Sequence, residues 1–153
     1  MSDAETSRTF TLEEANQRLP LVRVIVQDIV NLFRDVSERR DRLATMRTRH
    51  GEAASEESLY SEENAQIEDE LRCDEERLRN YIEELVELGI EFKDPVKGLV
   101  DFPSRVDGRI VHLCWMLGES EIRFWHELED GFAGRQPVLV ESFASGDTGK
   151  SDV

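Results

Sequence analysis

The chain has 153 residues, 39% of them hydrophobic and 35% charged, and a formal charge of −15. That length suits one domain able to bury a core without staples. The charge excludes non-specific nucleic-acid binding and disfavours anionic membranes, while a basic protein or a bound cation would be attracted.

Two cysteines, Cys73 and Cys114, form no Cys-x-x-Cys pair, so reduced thiols and a cytoplasmic location are expected. The opening residues lack a basic and apolar leader, and no apolar run is long enough to span a bilayer. Residues 1–9 read as a flexible arm, 10–140 as a single domain, and 141–153 as a disordered tail. Within the domain the reading divides into a helical hairpin (10–89), a β-meander (90–128) and a glycine-containing loop (129–140).

Thr11-Leu-Glu-Glu14 has the form of a capping box, which predicts a short helix from Thr11 to about Arg18. Pro20 breaks helix interiors but fits a first turn, so a kink or a fresh helix is expected there. From Pro20 to Arg49 two apolar rows recur at heptad spacing: Val22, Ile29, Val36, Leu43, and Ile25, Leu32, Met46, the second interrupted by Arg39. Such a helix would be roughly 45 Å long. Residues 50–61 lack periodicity and read as the hairpin turn. A second helix follows over about Glu62–Leu88, with Ile67, Leu71, Leu78, Tyr81, Leu85 and Leu88 on its seam, Asp74 interrupting and Gly89 as the stop. Aligned antiparallel, the two seams bring Met46 to Ile67, Leu43 to Leu71 and Val36 to Leu78. The same register sets Arg39 opposite Asp74, a pair that would fix it.

After Gly89 the period changes. Ile90–Phe92 reads as extended and Lys93–Gly98 as a turn. Leu99–Arg105 reads as a strand whose Pro103 implies an edge or a bulge. Asp107-Gly108 is a hairpin turn, Arg109–Leu117 the best strand, Gly118–Ser120 another turn and Glu121–Leu128 a returning strand. Glu129–Gln136 reads as a loop or short helix. The fold class is therefore α+β: a long antiparallel two-helix hairpin, a short N-terminal helix, and an antiparallel meander of three or four strands.

Four stretches carry a family likeness: Phe10-Thr-Leu-Glu-Glu-Ala-Asn-Gln-Arg-Leu-Pro20, Gly98-Leu-Val-Asp-Phe-Pro-Ser-Arg105, Leu113-Cys-Trp-Met-Leu-Gly-Glu119, and Trp125-His-Glu-Leu-Glu-Asp-Gly-Phe-Ala-Gly-Arg-Gln-Pro137. Over these the chain resembles a bacterial family, domain of unknown function 2203. The resemblance implies a small bacterial protein and no particular activity.

Strand alternation nominates a site. On 109–117, Val111, Leu113, Trp115 and Leu117 form an apolar face for the helices, while Ile110, His112, Cys114 and Met116 face the other way. The two turns pair Asp101 with Cys114, Pro103 with His112, Arg105 with Ile110, His112 with His126, and Cys114 with Phe124. One face then gathers Asp101, Arg105, His112, Cys114 and His126 at cross-strand distance. Two imidazoles, a thiol and a carboxylate suit zinc or a similar transition metal, or a Cys–His nucleophile pair; a hydrogen-bonded polar patch is the plainer reading. Arg135, beside the glycines, could hold an anion. His126-Glu127 has no second histidine at metalloprotease spacing, and Gly131–Arg135 lacks the Lys-Ser/Thr of a phosphate loop.

Two functions stay open. The favoured one is a non-enzymatic interaction or assembly protein that self-associates, as a dimer, through its hairpin, because Ile25, Val26, Ile29, Val30 and Phe33 make a stripe wider than one partner helix covers, of which the sheet is expected to cover only part. The alternative is a protein that binds a metal or small ligand, with catalysis an open option, at the meander cluster.

Overall fold

The computed structural model describes residues 8–50 and 57–139, with the side chains of residues 50 and 57–61 not covered. Residues 1–7 of the expected arm, 51–56 of the hairpin turn, residue 140 and the tail over 141–153 lie outside the described residues. The fold is α+β. Helices α1 (Leu12–His50) and α2 (Glu57–Glu87) form the hairpin, and strands β1 (Glu91–Asp94), β2 (Leu99–Val106), β3 (Arg109–Met116), β4 (Phe124–His126) and β5 (Gln136–Pro137) follow, with a 3₁₀ turn at Phe132–Gly134. The strands form one antiparallel meander in the order β1-β2-β3-β4-β5.

The capping box forms: Glu14 N–H donates to Thr11 Oγ1 at 3.0 Å, and Thr11 N–H donates to Glu14 Oε1 at 3.0 Å. No fresh helix starts at Pro20: the short leading helix and the long one are a single continuous helix with Pro20 inside it. An interior proline costs about 3 kcal/mol, while each large aliphatic side chain fully buried returns about 1.5–3 kcal/mol. Leu19 before the proline and Val22, Ile25 and Val26 after it are all buried in one core, so a break would cost more than the lost hydrogen bond.

The second helix begins at Glu57, earlier than the turn expected over 50–61 allowed. It stops at Gly89, whose φ is 88°. Ile90 N–H donates to the Leu85 carbonyl (3.0 Å) and Gly89 N–H to the Val86 carbonyl (2.9 Å), the two bonds of a Schellman cap. The hairpin register is the expected one. Arg39 pairs with Asp74, and Val36, Leu43 and Leu71 form a small core with Leu32 and Ile67.

The stripe expected to need a second copy is covered within the chain. Ile25, Val26, Ile29 and Val30 join Leu85, Ile90, Val100, Phe102, Leu113 and Trp115 in the main core, and Phe33 is half-buried. Val111, Leu113 and Trp115 do face the helices.

The β2–β3 turn has φ of 54° at Asp107 and 77° at Gly108, the left-handed pair that a tight hairpin needs. Its register pairs Asp101 with Cys114, Pro103 with His112 and Arg105 with Ile110. Pro103 sits beyond the end of β1, where its carbonyl accepts Phe10 N–H at 2.8 Å, so its missing donor interrupts no ladder. The bulge falls in β1, between Phe92 and Asp94.

The fourth strand is shorter than the expected 121–128. Ile122 N–H is taken by Asn16 Oδ1 of α1 at 2.9 Å, outside the ladder. The fifth strand, Gln136–Pro137, lies where a loop or short helix was expected, and the 3₁₀ turn supplies the helical part.

Candidate metal centre

The β3–β4 register sets His112 opposite His126 and Cys114 opposite Phe124. Together with the Asp101–Cys114 pairing, this puts Asp101, His112, Cys114 and His126 on the sheet face turned away from the helices. All four are buried: Asp101 2%, His112 7%, Cys114 0% and His126 2% exposed.

One carboxylate oxygen of Asp101, Cys114 Sγ and one ring nitrogen of His126 lie within 4.8 Å of one another. His126 Nε2 stands 3.1 Å from Asp101 Oδ1, and His112 Nδ1 stands 3.3 Å from Asp101 Oδ2. The imidazoles meet edge to face, with centroids 5.4 Å apart.

Each ring nitrogen has a distinct job. His126 Nδ1 is 2.8 Å from the Glu127 carbonyl, which can only accept, so Nδ1 carries the hydrogen and donates it. In a neutral ring Nε2 then offers a lone pair to the Asp101 carboxylate. Burial tends to raise the Asp101 carboxyl, but His112 and His126 outweigh it and hold it below its ordinary value of 3.8. Two acceptors therefore face each other across 3.1 Å, and something positive belongs between them: a second ring proton or a metal ion. His112 Nε2 lies 3.5 Å from Glu91 Oε2, whereas its buried Nδ1 makes no hydrogen bond despite its closeness to Asp101.

Burial, with Asp101 adding to it, pushes the Cys114 thiol up to about 12. At neutral pH it is protonated, which argues against the Cys–His nucleophile option.

Arg135 seals the outer face. Its guanidinium lies 4.3 Å from the Phe124 ring centroid and 4.7 Å from that of Phe132, donates to the Cys114 carbonyl at 3.2 Å, and pairs with Glu119 at 2.8 Å. Its guanidinium therefore has carboxylate and carbonyl partners within the chain, while its buried Nε makes no hydrogen bond. Glu119 also accepts Met116 N–H at 2.9 Å, which ties the β3–β4 turn to the seal.

Arg105 is not brought to the centre. It pairs with Ile110 near the hairpin turn, about 13 Å along β2 from Asp101 at the rise of an extended strand.

Sequence reasoning missed Glu91, the Glu127 carbonyl and Glu119. Glu91 could have been found by pairing β1 against β2, where it opposes Asp101. A backbone carbonyl leaves no signal in residue identity.

A helical hairpin capped by a five-stranded meander, with a buried Asp–Cys–His centre on the sheet's far face, defines the class of protein. The chain belongs to the family described as Uncharacterized conserved protein (DUF2203), with residues 8–138 matched. Neither the curated proteins nor the solved structures gave a match. Among the described residues, no helix is long and apolar enough to cross a membrane.

Proposed function

We propose that this protein binds a divalent transition metal, zinc being the best chemical fit, through Asp101, Cys114 and His126. The reading rests on one observation. The Glu127 carbonyl fixes the His126 hydrogen on Nδ1, which aims the Nε2 lone pair at the Asp101 carboxylate, within the same 4.8 Å compass as the Cys114 sulfur. A ligating histidine whose other nitrogen donates to an oxygen is the usual outer arrangement of a metal site. Nitrogen, oxygen and thiolate donors together select zinc or cobalt over magnesium or calcium. Binding would take Cys114 as the thiolate and release its proton.

The test is elemental analysis of untagged protein, followed by zinc titration of the chelated form. The reading expects about one zinc per chain for a single site. It expects loss of that zinc in Cys114→Ser and in His126→Ala. A wild-type chain that takes up no zinc would overturn it.

A second reading, self-association through the hairpin, keeps one specific support. Leu21 and Val24 of α1 stay 51% and 58% exposed although their neighbours fill the core. Light scattering behind size-exclusion chromatography decides it; a mass of 17.6 kDa, that of one chain, would remove this reading.

A further inference from the structure

We propose that His112 is the fourth ligand, through Nδ1, and that it closes the centre into a tetrahedral site of two nitrogens, one oxygen and one sulfur with no position left for a substrate. This rests on the metal reading above and assigns the site a structural role.

Three observations carry it. First, His112 Nδ1 is buried, in a side chain only 9% exposed, and the Asp101 carboxylate stands 3.3 Å from it, an approach that falls short of a well-formed hydrogen bond. A buried ring nitrogen without a well-formed hydrogen bond destabilises the fold, and ligation removes that penalty. Second, the two imidazoles are arranged alike. Each has one nitrogen turned to an outer oxygen (Glu127 carbonyl for His126, Glu91 carboxylate for His112) and the other turned to Asp101. This is the arrangement that orients metal-bound histidines.

Third, one carboxylate stands beside both rings: His126 Nε2 lies 3.1 Å from Asp101 Oδ1, and His112 Nδ1 lies 3.3 Å from Oδ2 of the same group. His112 stands outside the 4.8 Å group formed by Asp101, Cys114 and His126, so its ring and the carboxylate must turn as the metal enters for both nitrogens and one oxygen to share it.

Four protein ligands mark structural centres, whereas catalytic ones keep an open position. The ligands come from β2, β3 and β4, so the ion would fasten three neighbouring strands on the face opposite the helical core. Glu91 of β1 would stand outside the metal and hold the His112 ring.

Cobalt(II) substitution followed by absorption spectroscopy tests this. The wild type is expected to show a thiolate-to-cobalt band together with the intense visible bands of four-coordinate cobalt. In His112→Ala the thiolate band should remain, the visible bands should weaken and affinity should fall, with added imidazole restoring the spectrum. His112→Gln, which keeps polarity and much of the volume, serves if the alanine variant does not fold. An unchanged visible spectrum in the His112 variants would overturn the fourth ligand and leave the metal reading standing. No cobalt bands in the wild type would overturn both.

Discussion

Replacing Arg39 and Asp74 with leucine, singly and together, gives the sharpest test of how the hairpin holds its register. Each side chain is 21% exposed on an otherwise apolar seam. Neither is left wholly bare when its partner goes. Arg39 also reaches Asp35 at 3.1 Å, and Asp74 also takes Arg77 at 3.0 Å. The loss on breaking the pair should therefore lie between the ~0.2–1 kcal/mol of an exposed pair and the ~3–5 kcal/mol of a fully buried one, at about 1.5 kcal/mol for each single variant. The double variant trades the pair for continuous hydrocarbon between Val36 and Leu43 on one side and Leu71 on the other. Buried pairs replaced in this way often lose nothing, so its stability should return to within about 1 kcal/mol of wild type, a coupling of about 2 kcal/mol. Urea unfolding followed by circular dichroism measures all four proteins, and the slopes should stay equal. Additive losses, with the double variant about 3 kcal/mol down, would refute the reasoning.

Other outcomes follow from single positions. Arg39 first, then Arg77, holds the Asp74 carboxyl below its ordinary 3.8 against a small opposing effect of burial. A lowered carboxylate stabilises above the unfolded value and stops doing so as pH falls through the folded one, so Asp74→Asn should flatten the loss of stability seen below pH 3.8 in urea titrations. Gly98 has a φ of 71°, and a Cβ there would meet Leu117 Cβ at 2.7 Å and Val26 Cγ1 at 3.1 Å. Gly98→Ala should cost about 3 kcal/mol through strain and overpacking. Gly108 has a similar φ of 77° but open space, so the same change there should cost only about 1 kcal/mol, and thermal unfolding will separate the two. Thr11→Ala removes the cap and should cost about 1 kcal/mol, read as a lower denaturation midpoint.

The sheet was legible because its signals were local and consistent. Asp107-Gly108 set one turn, and strict alternation along 109–117 set the faces, so Asp101, His112, Cys114 and His126 could be gathered on paper. The helix runs on through Pro20 although local chemistry argues for a fresh start there, because Leu19 and Val22 are held by one distant core that no short window reveals. The hairpin turn was drawn too long because Glu57 to Ser61 lack an apolar rhythm; the α2 backbone is helical through them all the same. The α1 stripe is as wide as its residues imply, and the sheet covers its Ile25, Val26, Ile29 and Val30 while Phe33 stays half-buried. Glu119 and Glu127 act at the site through contacts that arise only once Arg135 folds back and β4 ends, which residue spacing does not encode.

The two apolar clusters differ in size. The large one joins the helix ends to the sheet, while Val36, Leu43 and Leu71, with Leu32 and Ile67, stand apart toward the hairpin's tip. The rod is thus anchored at one end and lightly clasped at the other. Amide protons along the distal arms should exchange by local fraying while those near Val22 and Leu85 wait for the whole molecule to open. The meander face carrying the imidazoles hangs from the slow end, so loosening at the tip would leave its geometry intact.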